Sequence, residues 1–179
     1  ANAIAAIVAA EHIGITPAES IEALAAFQGV RRRLEVRGTV GGVTVIDDFA
    51  HHPTAIATTI AGLRARMQVG NHSGGRLLAV LEPRSNTMRT GTLKAQLPAS
   101  LKGADLVFCY AGGIDWDAQA ALAPLGERVA VLRDMPALEA AILAAARPGD
   151  QVLVMSNGGF GGIHGRLLTG LASREGNGK

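Results

Sequence analysis

Gly42-Val43-Thr44-Val45-Ile46-Asp47-Asp48-Phe49-Ala50-His51-His52-Pro53-Thr54 passes from a β-branched run into a stretch with helical spacing. Apolar residues then recur through Ala55-Ile56-Ala57-Thr58-Thr59-Ile60-Ala61-Gly62-Leu63-Arg64, as one face of a helix requires. Pro53 suits the first helical turn, where a missing N–H costs nothing. Two carboxylates and two imidazoles therefore lie where a strand gives way to a helix. Open α/β sheets place their ligands at that end of their strands.

Working outward, Leu34–Val40 and Val43–Ile46 are β-like and separated by Gly41-Gly42, a hairpin signal. Strands are also predicted over Arg76–Leu81, Leu106–Tyr110, Val129–Leu132 and Gln151–Met155. Helices are predicted over Pro53–Met67, Gly91–Ser100, Asp117–Ala123, Pro136–Ala146 and Ile163–Ala172. Gln68–Gly75 reads as a surface loop. Alternation of this kind specifies an α/β fold, a Rossmann-like three-layer sandwich whose sheet is mostly parallel after an N-terminal hairpin. Ahead of it stand Ala1–Ile13 and Pro17–Phe27, the second opened by the capping box Thr16-Pro17-Ala18-Glu19. The expected organisation is a helical lead-in at 1–29, an α/β domain at 30–173 and a disordered tail at 174–179.

Composition narrows the function. Of 179 residues, 48% are hydrophobic and only 3% aromatic, which fits one Ala/Val/Leu-rich core. Net charge is +2 with a pI near 9.1, so there is no broad basic field. Arg31-Arg32-Arg33 is the one dense cluster and no aromatics interleave with it, which argues against a nucleic-acid surface. The single cysteine, Cys109, excludes an intrachain disulfide and fits a reducing, cytoplasmic setting. Apolar runs are too short for a membrane-spanning helix.

Four stretches could carry chemistry. In the first, Asp48 could merely cap the following helix with His51 and His52 solvated. Two acids beside two histidines favour a site, because carboxylates bind ribose hydroxyls or amines and imidazole titrates near neutrality. Metal-ligand spacing is absent there. The second, Arg31-Arg32-Arg33, reads as a solvated run or as a seat for phosphate or carboxylate. In the third, Glu82-Pro83-Arg84-Ser85-Asn86-Thr87-Met88-Arg89, the residues Arg84, Asn86 and Arg89 could hold a carboxylate-bearing ligand. It could equally be a plain surface loop, but adjacency to the first stretch across a parallel sheet favours a site. The fourth, Ser156-Asn157-Gly158-Gly159-Phe160-Gly161-Gly162-Ile163-His164-Gly165, lets a ligand approach the backbone near a helix start. His164 falls where a dinucleotide fingerprint needs its third glycine, and a P-loop is missing.

Together, Arg31-Arg32-Arg33-Leu34-Glu35, the Asp47–Thr54 stretch, Glu82–Met88 and Met155–His164 resemble the C-terminal domain of Mur ligases over nearly the whole chain. The last two stretches favour the recycling branch, which joins UDP-N-acetylmuramate to the tripeptide L-Ala-γ-D-Glu-meso-diaminopimelate through an acyl phosphate. That resemblance implies ATP and Mg2+ held mainly by a central domain that this sequence lacks, together with a missing N-terminal domain. It implies Arg33 on ATP phosphate, Asp48 on the ribose, and His51 and His52 lining the gap to the amino substrate. Arg84, Asn86 and Arg89, joined by Ser156 and Asn157, would receive the peptide's carboxylates. On this reading the fragment alone is inactive and the lead-in is the end of the central domain. Two alternatives stand beside it: the L-alanine-adding branch of the family, and a Rossmann-like binding module without catalysis.

Overall fold

The computed structural model describes residues 2–27, 29–69 and 74–176 and divides into two compact units, Ala1–Arg31 and Arg32–Lys179. In the first unit, α1 (Asn2–His12) packs against α2 (Pro17–Ala25). The expected capping box is formed: Thr16 Oγ1 accepts from the Glu19 N–H at 3.3 Å, and Glu19 Oε2 accepts from the Thr16 N–H at 2.9 Å. Helix α1 buries no residue, and Ile4, Val8, Ile13, Ile21 and Phe27 are all exposed.

The second unit is built on β1 (Glu35–Val40), β2 (Val43–Asp48), β3 (Leu77–Leu81), β4 (Leu106–Tyr110), β5 (Val129–Leu132) and β6 (Gln151–Met155). Their order across the sheet is β1-β2-β6-β3-β4-β5, with only β1 antiparallel. Alternate strand residues bury opposite faces. Ile46, Leu77, Ala79 and Leu81 meet α3 (Pro53–Val69), whose Ile56, Ile60, Leu63 and Met67 sit at helical spacing. That layer also receives α5 (Leu97–Leu101) and α6 (Ala118–Leu122), N-capped by Asp117. Val43, Val45, Leu78, Val80, Val152 and Val154 face the other way, onto α7 (Met135–Ala145) and α8 (Ile163–Gly176). The three-layer α/β expectation is met. Each fully buried Leu or Ile contributes about 1.5–3 kcal/mol, so both layers are needed to hold the sheet.

Three differences from the sequence reading have physical causes. Strand β2 runs through Asp48, so both acids are strand residues rather than loop residues. The helix predicted over Gly91–Ser100 is not continuous: a short α4 (Asn86–Arg89) ends before it, and helical structure resumes only as a 3₁₀ turn at Lys94–Gln96 followed by α5. Gly91 takes φ +76° against the indole of Trp116, a conformation that stops a helix. Finally, α8 continues to Gly176, so Arg174, assigned to a tail, is helical; residues 177–179 lie outside the described set, as do 70–73 of the predicted surface loop. Among the described residues, no helix is long and apolar enough to cross a membrane.

Candidate active site

Strands β2, β6 and β3 are neighbours and parallel, so the segments leaving their carboxyl ends emerge side by side. The Asp47–His52 and Glu82–Arg89 stretches, expected from the sequence to be neighbours, are not adjacent. Strand β6 separates them, and the Ser156–Gly162 loop fills the middle.

Strand alternation sends the paired acids to opposite faces. Asp48 points to the α3 side, buried, and accepts from the Leu34 N–H (2.9 Å), the Ala50 N–H (2.8 Å) and Thr59 Oγ1 (3.2 Å). Asp47 points to the α8 side, also buried, 3.3 Å from Arg32 Nε and 3.3 Å from His164 Nε2. The His164 contact lacks the alignment of a hydrogen bond, so it is an electrostatic neighbour. Burial lowers the His164 pKa first of all; Asp47 opposes that shift, while Arg37 and Arg32 reinforce it.

The arginine run is split by its backbone. Arg32 (φ 57°) and Leu34 (φ 48°) both adopt the left-handed region, which costs a non-glycine residue about 1 kcal/mol or more. Arg32 is thereby turned inward, and Arg33 remains exposed with its guanidinium carbon 5.8 Å from the Phe49 ring centre. His51 lies edge-on to the same ring at 5.2 Å, with Nδ1 2.8 Å from the Phe49 carbonyl. A carbonyl only accepts, so Nδ1 carries a proton, and in the neutral ring Nε2 is the nitrogen with the lone pair. His52 is exposed, and its carbonyl accepts the Ile56 N–H as α3 begins.

On the other flank, Glu82, Pro83, Arg84, Arg89, Tyr110, Gly113 and Ile114 line a cavity of about 210 Å³. Arg89 Nε donates to the Gly113 carbonyl at 3.1 Å. The Arg84 side chain lies so close over Gly158 that a Cβ there would fall 2.2 Å from Nη1. Asn86 opens α4, exposed, and is not among the residues lining the cavity. Ser156 is buried, donating from Oγ to Glu82 Oε2 at 2.5 Å and accepting the Gly158 N–H at 2.9 Å. Asn157 Oδ1 is buried with no partner among the described residues.

The structure thus groups Arg84 with Arg89, and His51 with Arg33 around Phe49. Sequence reasoning missed Glu82 and Tyr110 as cavity walls, and Arg32, Asp47 and His164 as one cluster. The period of two along β2 could have separated Asp47 from Asp48. Cys109 is fully buried and its thiol is pushed up to about 12, so it is not a nucleophile.

Two flanking loops with cationic side chains and a middle glycine-rich loop form a candidate small-molecule site on a Rossmann-like α/β domain. The family comparison agrees in extent: residues 32–158 match the family described as Mur ligase, glutamate ligase domain, and the chain belongs to it. The Escherichia coli K12 UDP-N-acetylmuramate–L-alanyl-γ-D-glutamyl-meso-2,6-diaminoheptandioate ligase is 48% identical over 174 residues, which is 97% of this chain and 37% of that protein. The chain therefore spans well under half the length of that relative. A solved murein peptide ligase from Psychrobacter arcticus 273-4 superposes with a TM-score of 0.72 at 39% identity, over 96% of this chain and 36% of that one. A solved domain from a Haemophilus ducreyi 35000HP protein named as a ligase of the same kind gives a TM-score of 0.66 at 46% identity, over 78% of this chain and all of that one.

Proposed function

We propose that this chain is the C-terminal domain of an ATP-dependent ligase, closing over the nucleotide and presenting the amino substrate. In this reading the ligase joins UDP-N-acetylmuramate to L-Ala-γ-D-Glu-meso-diaminopimelate in cell-wall peptide recycling, in the cytoplasm. The observation that carries it is the convergence, at the carboxyl ends of β2, β6 and β3, of an Arg33/His51 group and an Arg84/Arg89 cavity on either side of the Ser156 loop.

ATP supplies the phosphoryl group that turns the muramate carboxylate into an acyl phosphate. Arg33, exposed and always charged, is free to meet a phosphate. Asp48 can hold a ribose hydroxyl by giving up one internal bond, of which the 3.2 Å contact from Thr59 is the longest. His51 Nε2 accepts a proton as the amine forms the amide bond and phosphate leaves; His52 stands beside it, exposed. Arg84 and Arg89 hold peptide carboxylates in the cavity; Ser156 and Asn157 do not line it but stand in the loop after β6, where Ser156 Oγ fixes the lining residue Glu82 and the orphaned Asn157 Oδ1 can accept from a peptide N–H. A pocket with two arginines is more than the single carboxylate of L-alanine needs.

Among the described residues no group of three His, Cys, Asp or Glu side chains could hold a metal ion. In this reading Mg2+, with most of the ATP contacts, is assigned by the family resemblance to a central domain, and UDP-N-acetylmuramate to an N-terminal one. The exposed Ile4, Val8 and Ile13 suit burial against such a neighbour.

Calorimetric titration tests this reading: the tripeptide should bind the chain measurably and more tightly than L-alanine. In a ligase carrying this chain, Asp48→Ala should raise the ATP KM, and Arg84→Ala should raise the tripeptide KM about tenfold or more with little change for ATP. Silence from both ligands in a folded chain, or wild-type kinetics in both variants, would refute it.

A further inference from the structure

Arg32 joins three separate segments. Its Nη2 donates to the carbonyls of Ser156 (2.6 Å) and Gly158 (2.9 Å), in the loop between β6 and α8. Its Nε faces both oxygens of Asp47, at 3.3 and 3.4 Å. Its carbonyl accepts the Phe49 N–H at 2.8 Å, and its guanidinium carbon lies 5.1 Å from the Phe49 ring centre. Its own N–H donates to Glu35 Oε2 at 2.7 Å, which closes the turn carrying Arg33. A left-handed backbone at a β-unbranched arginine persists only where its surroundings over-determine it, and these contacts do so.

We infer that Arg32 is a positioning residue: it locks the Ser156–Gly162 loop to the Arg33 turn, so that the nucleotide-facing and amino-substrate-facing halves of the site keep one geometry. This deepens the ligase reading and rests on it for the meaning of the two halves. Lysine cannot replace arginine here, because one ammonium cannot reach an acid and two backbone carbonyls in a planar fork. Asp47 holds the fork from beneath, and His164 abuts Asp47 from α8. Asp47, Arg32 and Arg37 are the charged groups that act on that imidazole.

The test has two arms, each on Arg32→Lys, Arg32→Gln and Asp47→Asn. In the chain itself, amide exchange at Gly158 and Gly162 should accelerate at least about tenfold in both Arg32 variants, with β4 and β5 amides unchanged. The His164 titration should move upward in Arg32→Gln, because a neighbouring cation is lost. Asp47→Asn should loosen the loop less, since both carbonyl bonds to Arg32 survive it. In a ligase carrying the chain, Arg32→Lys should lower kcat at least about tenfold without rescuing what Arg32→Gln loses. Wild-type exchange in Arg32→Lys overturns the proposal, and so does faster exchange with unchanged kcat, since the loop would then be held for stability alone. A wild-type protein without ligase activity would instead sink the functional reading, while the exchange arm still judges the clamp.

Discussion

The amino and carboxyl ends of the parallel strands each bury an aspartate against an arginine, and they do it differently. At the amino ends of the strands, Asp150 is matched throughout: Oδ2 takes Arg76 Nη2 at 2.6 Å and the Arg147 N–H at 2.8 Å, and Oδ1 takes Arg76 Nε at 3.1 Å. The same Arg76 also donates to the Ala145 carbonyl, and its pKa is raised chiefly by the hydrogen bonds to Asp150. At the carboxyl ends, Asp47 makes only long contacts with Arg32 and shares its charge with an imidazole. That end also holds the three non-glycine residues with positive φ among the described residues, Arg32, Leu34 and Phe160, and the orphaned Asn157 oxygen. One end is arranged to stay closed, and the other keeps polar capacity and strain in reserve for a ligand.

The sharpest way to break this contrast is to remove each aspartate. Asp150→Ala should cost roughly 3 kcal/mol in urea unfolding, because it strands a half-buried guanidinium and two backbone N–H groups. Asp47→Ala should cost about 1–2 kcal/mol, because Arg32 retains both carbonyls. Equal losses would erase the distinction.

A smaller effect concerns pH. Burial holds His164 below its ordinary 6.5, so the unfolded chain binds a proton at this position before the folded one does. Stability on this account is full above about pH 6.5 and falls as pH drops from there toward the lowered folded value. Melting temperatures at about pH 7.5 and about pH 5.5 should therefore diverge more in the wild type than in His164→Gln. An unchanged difference would remove His164 from the account.

The smallest expected change in stability comes from Gly158→Ala. Its new methyl meets only the far end of Arg84, which can swing away, so unfolding should shift by no more than about 0.5 kcal/mol. Binding of a carboxylate-bearing peptide should nonetheless weaken, because Arg84 is displaced from the cavity wall.

Most of the architecture was legible. Period-two and period-3.6 patterns located every strand of the sheet and the α3, α7 and α8 helices, because burial of one face dictates those patterns directly. The order of strands was not legible, since long-range pairing puts β6 between β2 and β3 and leaves no mark in local spacing. The site was legible as loops and not as contacts. Which arginine of the run turns inward depends on left-handed backbone at Arg32 and Leu34, and non-glycine residues do not advertise that conformation. The break of the 91–100 helix depended on Trp116, far along the chain, closing on Gly91.

The insertion of β6 has a consequence for how the molecule is made. A ribosome releases β2 and β3 long before residues 151–155, so two partial sheets must wait for a central strand that arrives last. Until then β2 and β3 have no hydrogen-bonded neighbour between them, and the two halves of the site have no common frame. Closure of such distant segments is slow and leaves strand edges open in the meantime. A nascent chain stopped before Gln151 should bind chaperones and be degraded readily, and release of the final helix should make it resistant in a single step.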